Sequence, residues 1–252
     1  MLKLERQRQI LDWIQQDGKV LATDLCKKLR VSEDTVRRDL QELDEDGKLL
    51  RVHGGAMERS RTIFYRDTLP YTERQQHATE AKKQIARAAA ALMENGQTYF
   101  MDDGTTTLQM AHCLPAELRA RVITNSPPLA IELATHPNLE IVLLGGRLLG
   151  LSQSVVGTEA VEQIRRYRAD LFFLGTCAVH WQYGITVPDM EVAAIKRTMM
   201  QCAAKTAGLA TADKLDTVAP FVVAPVENLA YLIVDTTTDS QIWQKYEKAG
   251  IA

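Results

Sequence analysis

Residues 31–56 read VSEDTVRRDLQELDEDGKLLRVHGGA, and this stretch decides the architecture of the N-terminal part of the chain. Ser32 is placed to cap a helix whose first turn carries Glu33 and Asp34, where acids suit the positive end of the helix dipole. The helix is expected to run to about Glu45, where Asp46-Gly47 breaks it. At ~100° per residue, Leu40 and Leu43 lie beside Val36, whereas Asp34, Arg38 and Gln41 point away, flanked by Thr35 and Arg37. The outward face is therefore short, polar and basic. A helix of this kind fits the major groove of DNA, where an arginine can take guanine O6 and N7 together. Lys48–His53 has strand character, and Gly54-Gly55 would turn it into the two-stranded ribbon of a winged helix. On that ribbon Arg51 and His53 can meet phosphate or the minor groove.

Working outward, Leu4, Ile10, Leu11 and Ile14 predict a first helix up to Asp17-Gly18. Thr23 or Asp24 would cap a second short helix with Leu25 and Leu29 at i, i+4. Three helices and a ribbon thus occupy residues 1–57, and a polar segment, 58–71, is expected to link them to the rest. The 252 residues hold 30 Lys+Arg against 32 Asp+Glu, with 46% hydrophobic residues. This balance excludes a strongly basic chain, so a nucleic-acid argument has to be local. No apolar run approaches the ~18 residues of a spanning helix, and no secretory signal precedes the first helix, which makes the cytoplasm the expected location. The four cysteines have no paired or metal-ligand spacing, so neither a disulfide framework nor a metal site is expected.

Residues 72–252 alternate strands with helices. A long helix is expected from about Thr72 to Met93, with Ile85, Ala88, Ala89 and Leu92 at helical spacing. Strands follow at Thr98–Asp102, Val122–Asn125, Glu140–Leu144, Asp170–Leu174 and Tyr231–Asp235, separated by helices near 105–113, 127–135, 157–167, 189–206 and 239–249. Such alternation implies a mostly parallel sheet covered by helices. Asp102-Asp103-Gly104-Thr105-Thr106-Thr107 leaves a strand and opens a helix, so threonine hydroxyls and free amides converge at one end of the sheet. Neither the Walker-A lysine spacing nor GxGxxG is present, which argues against ATP and NAD. Thr124-Asn125-Ser126 and Gly145-Gly146-Arg147 also end strands. Three such turns at the carboxyl edge favour a phosphorylated or hydroxyl-rich ligand. Lys196 projects only ~40° from the buried Val192, Ile195, Met199 stripe; a snorkelling side chain is the ordinary explanation and a charge aimed into the crevice the sharper one. Lys214 in TADK invites the same two readings. Cys177 and His180, three apart, suit a nucleophile or metal only if further ligands join them, and none is visible.

Residues 31–56 resemble the DNA-binding signature of the DeoR family of bacterial transcriptional regulators. DDGTTT, TNS, LLGGR, the Gly157 helix start, ADLFFLGTCAV and EVAAIK resemble that family's sensor domain, so the likeness covers nearly the whole chain. It implies an N-terminal winged helix-turn-helix and a mostly parallel α/β domain similar in fold to ribose-5-phosphate isomerase. The DNA-contacting set is then Ser32, Thr35, Arg37, Arg38, Arg51 and His53. The effector-contacting set is Asp102, Gly104, Thr105, Thr106, Thr107, Asn125, Gly146, Arg147, Lys196 and Lys214. The departure lies in LATADK, where Thr211 stands in place of an aspartate of the family pattern.

The resemblance implies a repressor of a carbohydrate catabolic operon, with operator DNA and a phosphorylated sugar or related metabolite as partners. It requires no cofactor, and groove readers commonly pair as dimers or tetramers to match repeated half-sites. The alternative is a sugar-phosphate isomerase fused to a DNA-binding module. The isomerases carry Asp-Gly-Ala-Asp-Glu after the corresponding strand; here Leu174-Gly175-Thr176-Cys177-Ala178 offers no carboxylate for proton transfer. Glu191 or Asp102 would have to supply the missing base.

Overall fold

The structure, a computed structural model, describes residues 3–17, 19–46, 48–52, 55–58, 69–238 and 240–248. The chain divides into two compact units, residues 1–61 and 62–252.

In the first unit, α1 (Lys3–Asp17) leads into β1 (Lys19–Leu21), α2 (Ala22–Leu29), α3 (Glu33–Glu45), β2 (Leu49–Val52) and β3 (Gly55–Glu58). Ile10, Ile14, Leu25, Leu29, Val36, Leu40, Leu43 and Leu49 close one apolar core, so each helix is held by the stripe that its spacing predicts. Leu4 is the exception, 78% exposed at the start of α1. Two further details depart from expectation. The helix α2 starts at Ala22 behind Leu21, with no side-chain cap from Thr23 or Asp24. The ribbon has a third strand, because β1 pairs antiparallel with β3 on the side away from β2. That pairing requires Gly55, where a Cβ would stand 2.1 Å from the Val20 carbonyl oxygen. Beneath α3, buried Asp39 accepts a bidentate bond from Arg6, with Nη2 at 3.0 Å from Oδ1, which neutralises a carboxylate among the apolar side chains.

The second unit opens with α4 (Tyr71–Gln76) and α5 (Thr79–Ala90), where one long helix is expected. Ala78 between them adopts a left-handed φ of 50° and breaks the ladder without a glycine or proline to announce it. The buried stripe of α5 runs through Ile85, Ala86, Ala89 and Ala90, and Ala88 is exposed. The chain then builds β4 (Thr98–Met101), α6 (Thr105–Ala111), β5 (Ala120–Thr124), α7 (Pro127–Leu133), β6 (Leu139–Leu143), β7 (Arg147–Leu149), β8 (Ser154–Val156), α8 (Thr158–Ile164) and β9 (Ala169–Gly175). It continues through β10 (Ala178–His180), β11 (Gly184–Val187), α9 (Met190–Gln201), β12 (Ala203–Ala210), β13 (Phe221–Ala224), β14 (Tyr231–Val234) and α10 (Ser240–Lys248).

A six-stranded parallel sheet runs β14-β12-β9-β4-β5-β6. Alternation sorts its side chains onto two cores: Tyr99, Met101, Leu171 and Phe173 face the helices α5, α6 and α7, while Phe100, Phe172 and Leu174 face α8, α9 and α10. Sequence reading carried the helix at 189–206 too far. The helix stops at Gln201, and Ala203–Ala210 is a strand paired with β9 and β14. An antiparallel sheet β10-β11-β13 and the hairpin β7-β8 complete the unit.

Candidate functional site

From β4 the chain moves outward through β5 and β6, and from β9 it moves the other way through β12 and β14. The carboxyl ends of β4 and β9 therefore flank a topological switch point, the place where open α/β sheets leave a crevice. There the backbone turns Asp102–Gly104 and Gly175–Thr176 press against each other. A Cβ at Gly175 would stand 2.8 Å from both Asp102 Oδ1 and Gly104 Cα, so only glycine fits.

Asp102, fully buried, ties this junction together. Its Oδ1 accepts bonds from the Gly104 and Gly175 amides at 3.0 Å each, and its Oδ2 accepts from Gly175 N at 2.9 Å. Lys196 reaches in from α9 and donates to Asp102 Oδ2 at 2.5 Å and to the Gly175 carbonyl at 3.0 Å. Asp103 Oδ1 lies 3.4 Å from the same ammonium. Burial works against charge on Lys196, but the two carboxylates outweigh it and hold the ammonium above its ordinary range. Burial likewise opposes charge on Asp103, yet Lys196 and Arg74 outweigh it and keep this carboxyl below the usual range. For Asp102 the desolvation is larger than the help from Lys196, and its carboxyl is pushed up. Lys196 is therefore a buried structural cation at the floor of the crevice rather than a snorkelling one.

Around this floor lies a cleft of about 630 Å³ counting its mouth, lined by Arg74, His77, Lys82, Asp103, Thr105, Thr106, Thr176, Cys177, Lys196, Thr211, Asp213 and Lys214 among others. Lys214 donates to the Thr176 carbonyl, and Thr176 Oγ1 donates to Leu209 O at 2.7 Å, which binds the ends of β9 and β12 to the same rim. The cleft combines cations with hydroxyls, chemistry that suits a phosphorylated, polyhydroxylated small molecule.

Of the residues singled out from sequence, Gly104, Thr105, Thr106, Lys196 and Lys214 line this cleft, and Asp102 sits directly beneath it. Thr107 turns inward, donating to Asp102 O at 2.9 Å and to Gly104 O at 2.5 Å, a role in the turn itself. Asn125, Gly146 and Arg147 are outside the lining residues. Asn125 is buried and donates to Val155 O at 3.1 Å. Arg147 lies on β7 and forms an exposed ion pair with Glu191, which is not among the residues lining the cleft. Sequence reading missed Arg74, His77 and Lys82, because the break at Ala78 that aims them was not visible.

In the first unit, Arg37 and Arg38 are exposed on α3, opposite Val36 and Leu40. The Ser32 hydroxyl caps the helix, accepting from Thr35 N at 3.3 Å and lying 2.9 Å from Thr35 Oγ1. Arg51 is on β2, and His53 falls outside the described residues.

Among solved structures, the chain has a distant likeness to ribose-5-phosphate isomerase from Methanocaldococcus jannaschii at 16% identity and a TM-score of 0.40, covering 54% of each chain. The chain is 35% identical over 251 residues to the HTH-type transcriptional regulator GlpR of Haloferax volcanii, covering 100% of this chain and 97% of that one. It is 31% identical to the HTH-type transcriptional repressor GlcR of Bacillus subtilis, covering 100% and 95%. It is also 31% identical over 201 residues to the glycerol-3-phosphate regulon repressor of Escherichia coli, covering 80% and 78%. Residues 6–62 match the DeoR-like helix-turn-helix domain, and residues 77–236 match the DeoR C terminal sensor domain. With both of its units matched in order, the chain belongs to the DeoR family and is a DNA-binding transcriptional regulator, not an enzyme.

Proposed function

We propose that this regulator represses a carbohydrate catabolic operon and is released from its operator by a phosphorylated sugar or related polyol phosphate. The observation that carries the reading is the cleft at the switch point, where Arg74, Lys82 and Lys214 share one rim with Thr105, Thr106 and Thr176. The names of the relatives, a transcriptional repressor and a repressor of a glycerol-3-phosphate regulon, support it. In this reading residues 1–57 contact DNA through Ser32, Thr35, Arg37, Arg38, Arg51 and His53, residues 58–71 connect the units, and the protein acts as a dimer or tetramer on repeated half-sites.

An effector shifts DNA affinity only through different affinities for the DNA-competent and DNA-incompetent states. Thr105→Val keeps side-chain volume and removes one hydroxyl from the cleft. It is expected to leave operator affinity within about threefold while raising the sugar-phosphate concentration needed for release by about tenfold, the weight of one lost hydrogen bond in a dry site. Operator titrations with and without a panel of sugar phosphates measure both, and a variant released at wild-type concentrations would place the effector elsewhere.

A further inference from the structure

Two residues lining the cleft, Leu69 and Arg74, belong to the start of the second unit: Leu69 lies in the segment 58–71 proposed to connect the units, and Arg74 on α4, the first helix of the second. The Tyr71 amide donates to Leu151 O at 2.9 Å, and the Arg74 guanidinium lies over the buried Tyr71 ring at 5.6 Å. Buried Lys82 of α5 donates to the Arg74 carbonyl. The guanidinium itself is only half engaged. Its Nη2 meets Ser152 O at 3.5 Å, the outer limit of a hydrogen bond, and its Nε is buried and has no acceptor. A guanidinium can only donate, and a buried donor without an acceptor is uncommon, so the place in front of Nε calls for an oxygen.

We infer that Arg74 grips the effector's phosphate through Nε, and that α4 is the element that responds to an occupied cleft, fixing the end of the connecting segment at Leu69. The inference rests on the effector reading of the same cleft given above and adds to it the residue that meets the phosphate and the helix that passes the signal on.

Three features support it. The first is charge: Asp102 and Asp103 are matched by Lys196 and Arg74, and Asp213 is outnumbered by Lys82 and Lys214, so the cleft has one positive charge to spare for an anion. The second is the weak hold on α4. Six residues do not make a stable helix on their own, so the few contacts just named set its position. The joint to α5 holds Ala78 left-handed at φ 50°, a conformation whose cost no side-chain bond of alanine can offset. One further bond, from Nε to a ligand in the cleft, therefore shifts the docking of α4. The third is differential contact: a ligand moves a conformational equilibrium only through contacts that differ between its states. Nε reaches the ligand only with α4 docked, and Pro70 alone separates Leu69 from that helix.

Hydrogen exchange in the full-length protein tests this, with glycerol 3-phosphate, fructose 6-phosphate and inorganic phosphate as probes. At least one of them is expected to slow exchange across residues 71–77, together with residues 103–107, by at least about threefold, the protection reached at about twice the Kd. Arg74→Met keeps an unbranched stem over the Tyr71 ring and removes the donors. In this variant the same probe is expected to leave residues 71–77 unprotected, whether or not 103–107 stay protected. Without a probe, exchange across 71–77 is expected to stay within about threefold of wild type, because the contact to Ser152 O is the one side-chain hydrogen bond that the free protein loses. The inference is overturned if protection in wild type is confined to 103–107, or if Arg74→Met is protected across 71–77 as wild type is. It is equally overturned if the substitution speeds exchange across 71–77 by one common factor with and without the probe, the mark of a structural role. Absence of protection by all three probes overturns the effector reading itself, and this inference with it.

Discussion

Lys196→Met is expected to lower the melting temperature of the sensor unit by about 10 °C. The substitution keeps an unbranched apolar stem of similar length on α9 but removes the cation that sits between Asp102 and Asp103, which are 0% and 5% exposed. Breaking a buried ion pair from one side costs about 3–5 kcal/mol, because Asp102 is left with neither water nor countercharge and Asp103 with Arg74 alone. A unit of this size loses roughly 2–4 °C per kcal/mol. The effect also has a characteristic pH dependence. In wild type, Asp103 has its carboxyl lowered, so its contribution is present above the unfolded-state value and is lost as pH falls through the lower folded one. Without the ammonium, burial pushes the already raised Asp102 carboxyl further up and moves the Asp103 carboxyl up against Arg74 alone. For Asp102 the contribution is then present below the unfolded-state value and lost as pH rises through the folded one, so the variant gains on wild type as the solution is acidified. Melting curves of both proteins between about pH 5 and pH 8 check the sign. A variant melting within a degree or two of wild type at neutral pH would show that the ion triad does not hold β4 to β9.

The double substitution Arg37→Ala, Arg38→Ala is expected to cost at least ~1–3 kcal/mol of specific operator affinity if one of the two reads a base edge, or about five- to more than hundredfold. Both guanidinium groups are exposed on α3, away from Val36, Leu40 and Leu43, so the melting temperature is expected to stay within about a degree. That separates a lost contact from a lost fold. The single Arg38→Ala variant is expected to relax discrimination between operator and unrelated DNA. Loss of a phosphate contact weakens every sequence alike and flattens the salt dependence by about one unit. Arg51→Ala is expected to behave in that second way. Specific and nonspecific affinities measured across a salt series separate the two, and an unchanged affinity for both DNAs in the double variant would remove α3 from the DNA interface.

The helices of the first unit were legible because Val36, Leu40 and Leu43 repeat at helical spacing and Ser32 announces the start of α3. The strand β1 was not, since Lys19-Val20-Leu21 is too short to show alternation and is fixed only by pairing with β3. In the second unit, β12 reads Ala-Ala-Lys-Thr-Ala-Gly-Leu-Ala, a composition that favours helix; its neighbours β9 and β14 override that preference. The crevice itself followed from strand ends, which placed Asp102, Gly104 and the threonines, and from the wheel of α9, which turned Lys196 inward. That Asp102 and Lys196 meet across 94 residues is a matter of topology, and no local period contains it. Arg74, His77 and Lys82 escaped for the opposite reason, a local break at Ala78 with no residue type to mark it.

The order in which the sheet is laid down has a consequence for synthesis on the ribosome. The strand β4 is made early, at Thr98–Met101, yet its neighbour on one side, β9, ends only at Gly175, and the Lys196 that locks the two together comes later still. The first unit closes its core by residue 58, using contacts local in sequence, which form quickly. A growing chain thus completes its DNA-reading unit while the middle of the sensor sheet still exposes the edge of β4 and the apolar faces on both sides of it. For about a hundred residues of elongation the nascent regulator has a DNA-reading unit without an effector site, and the exposed half-sheet is where holding chaperones would be needed most.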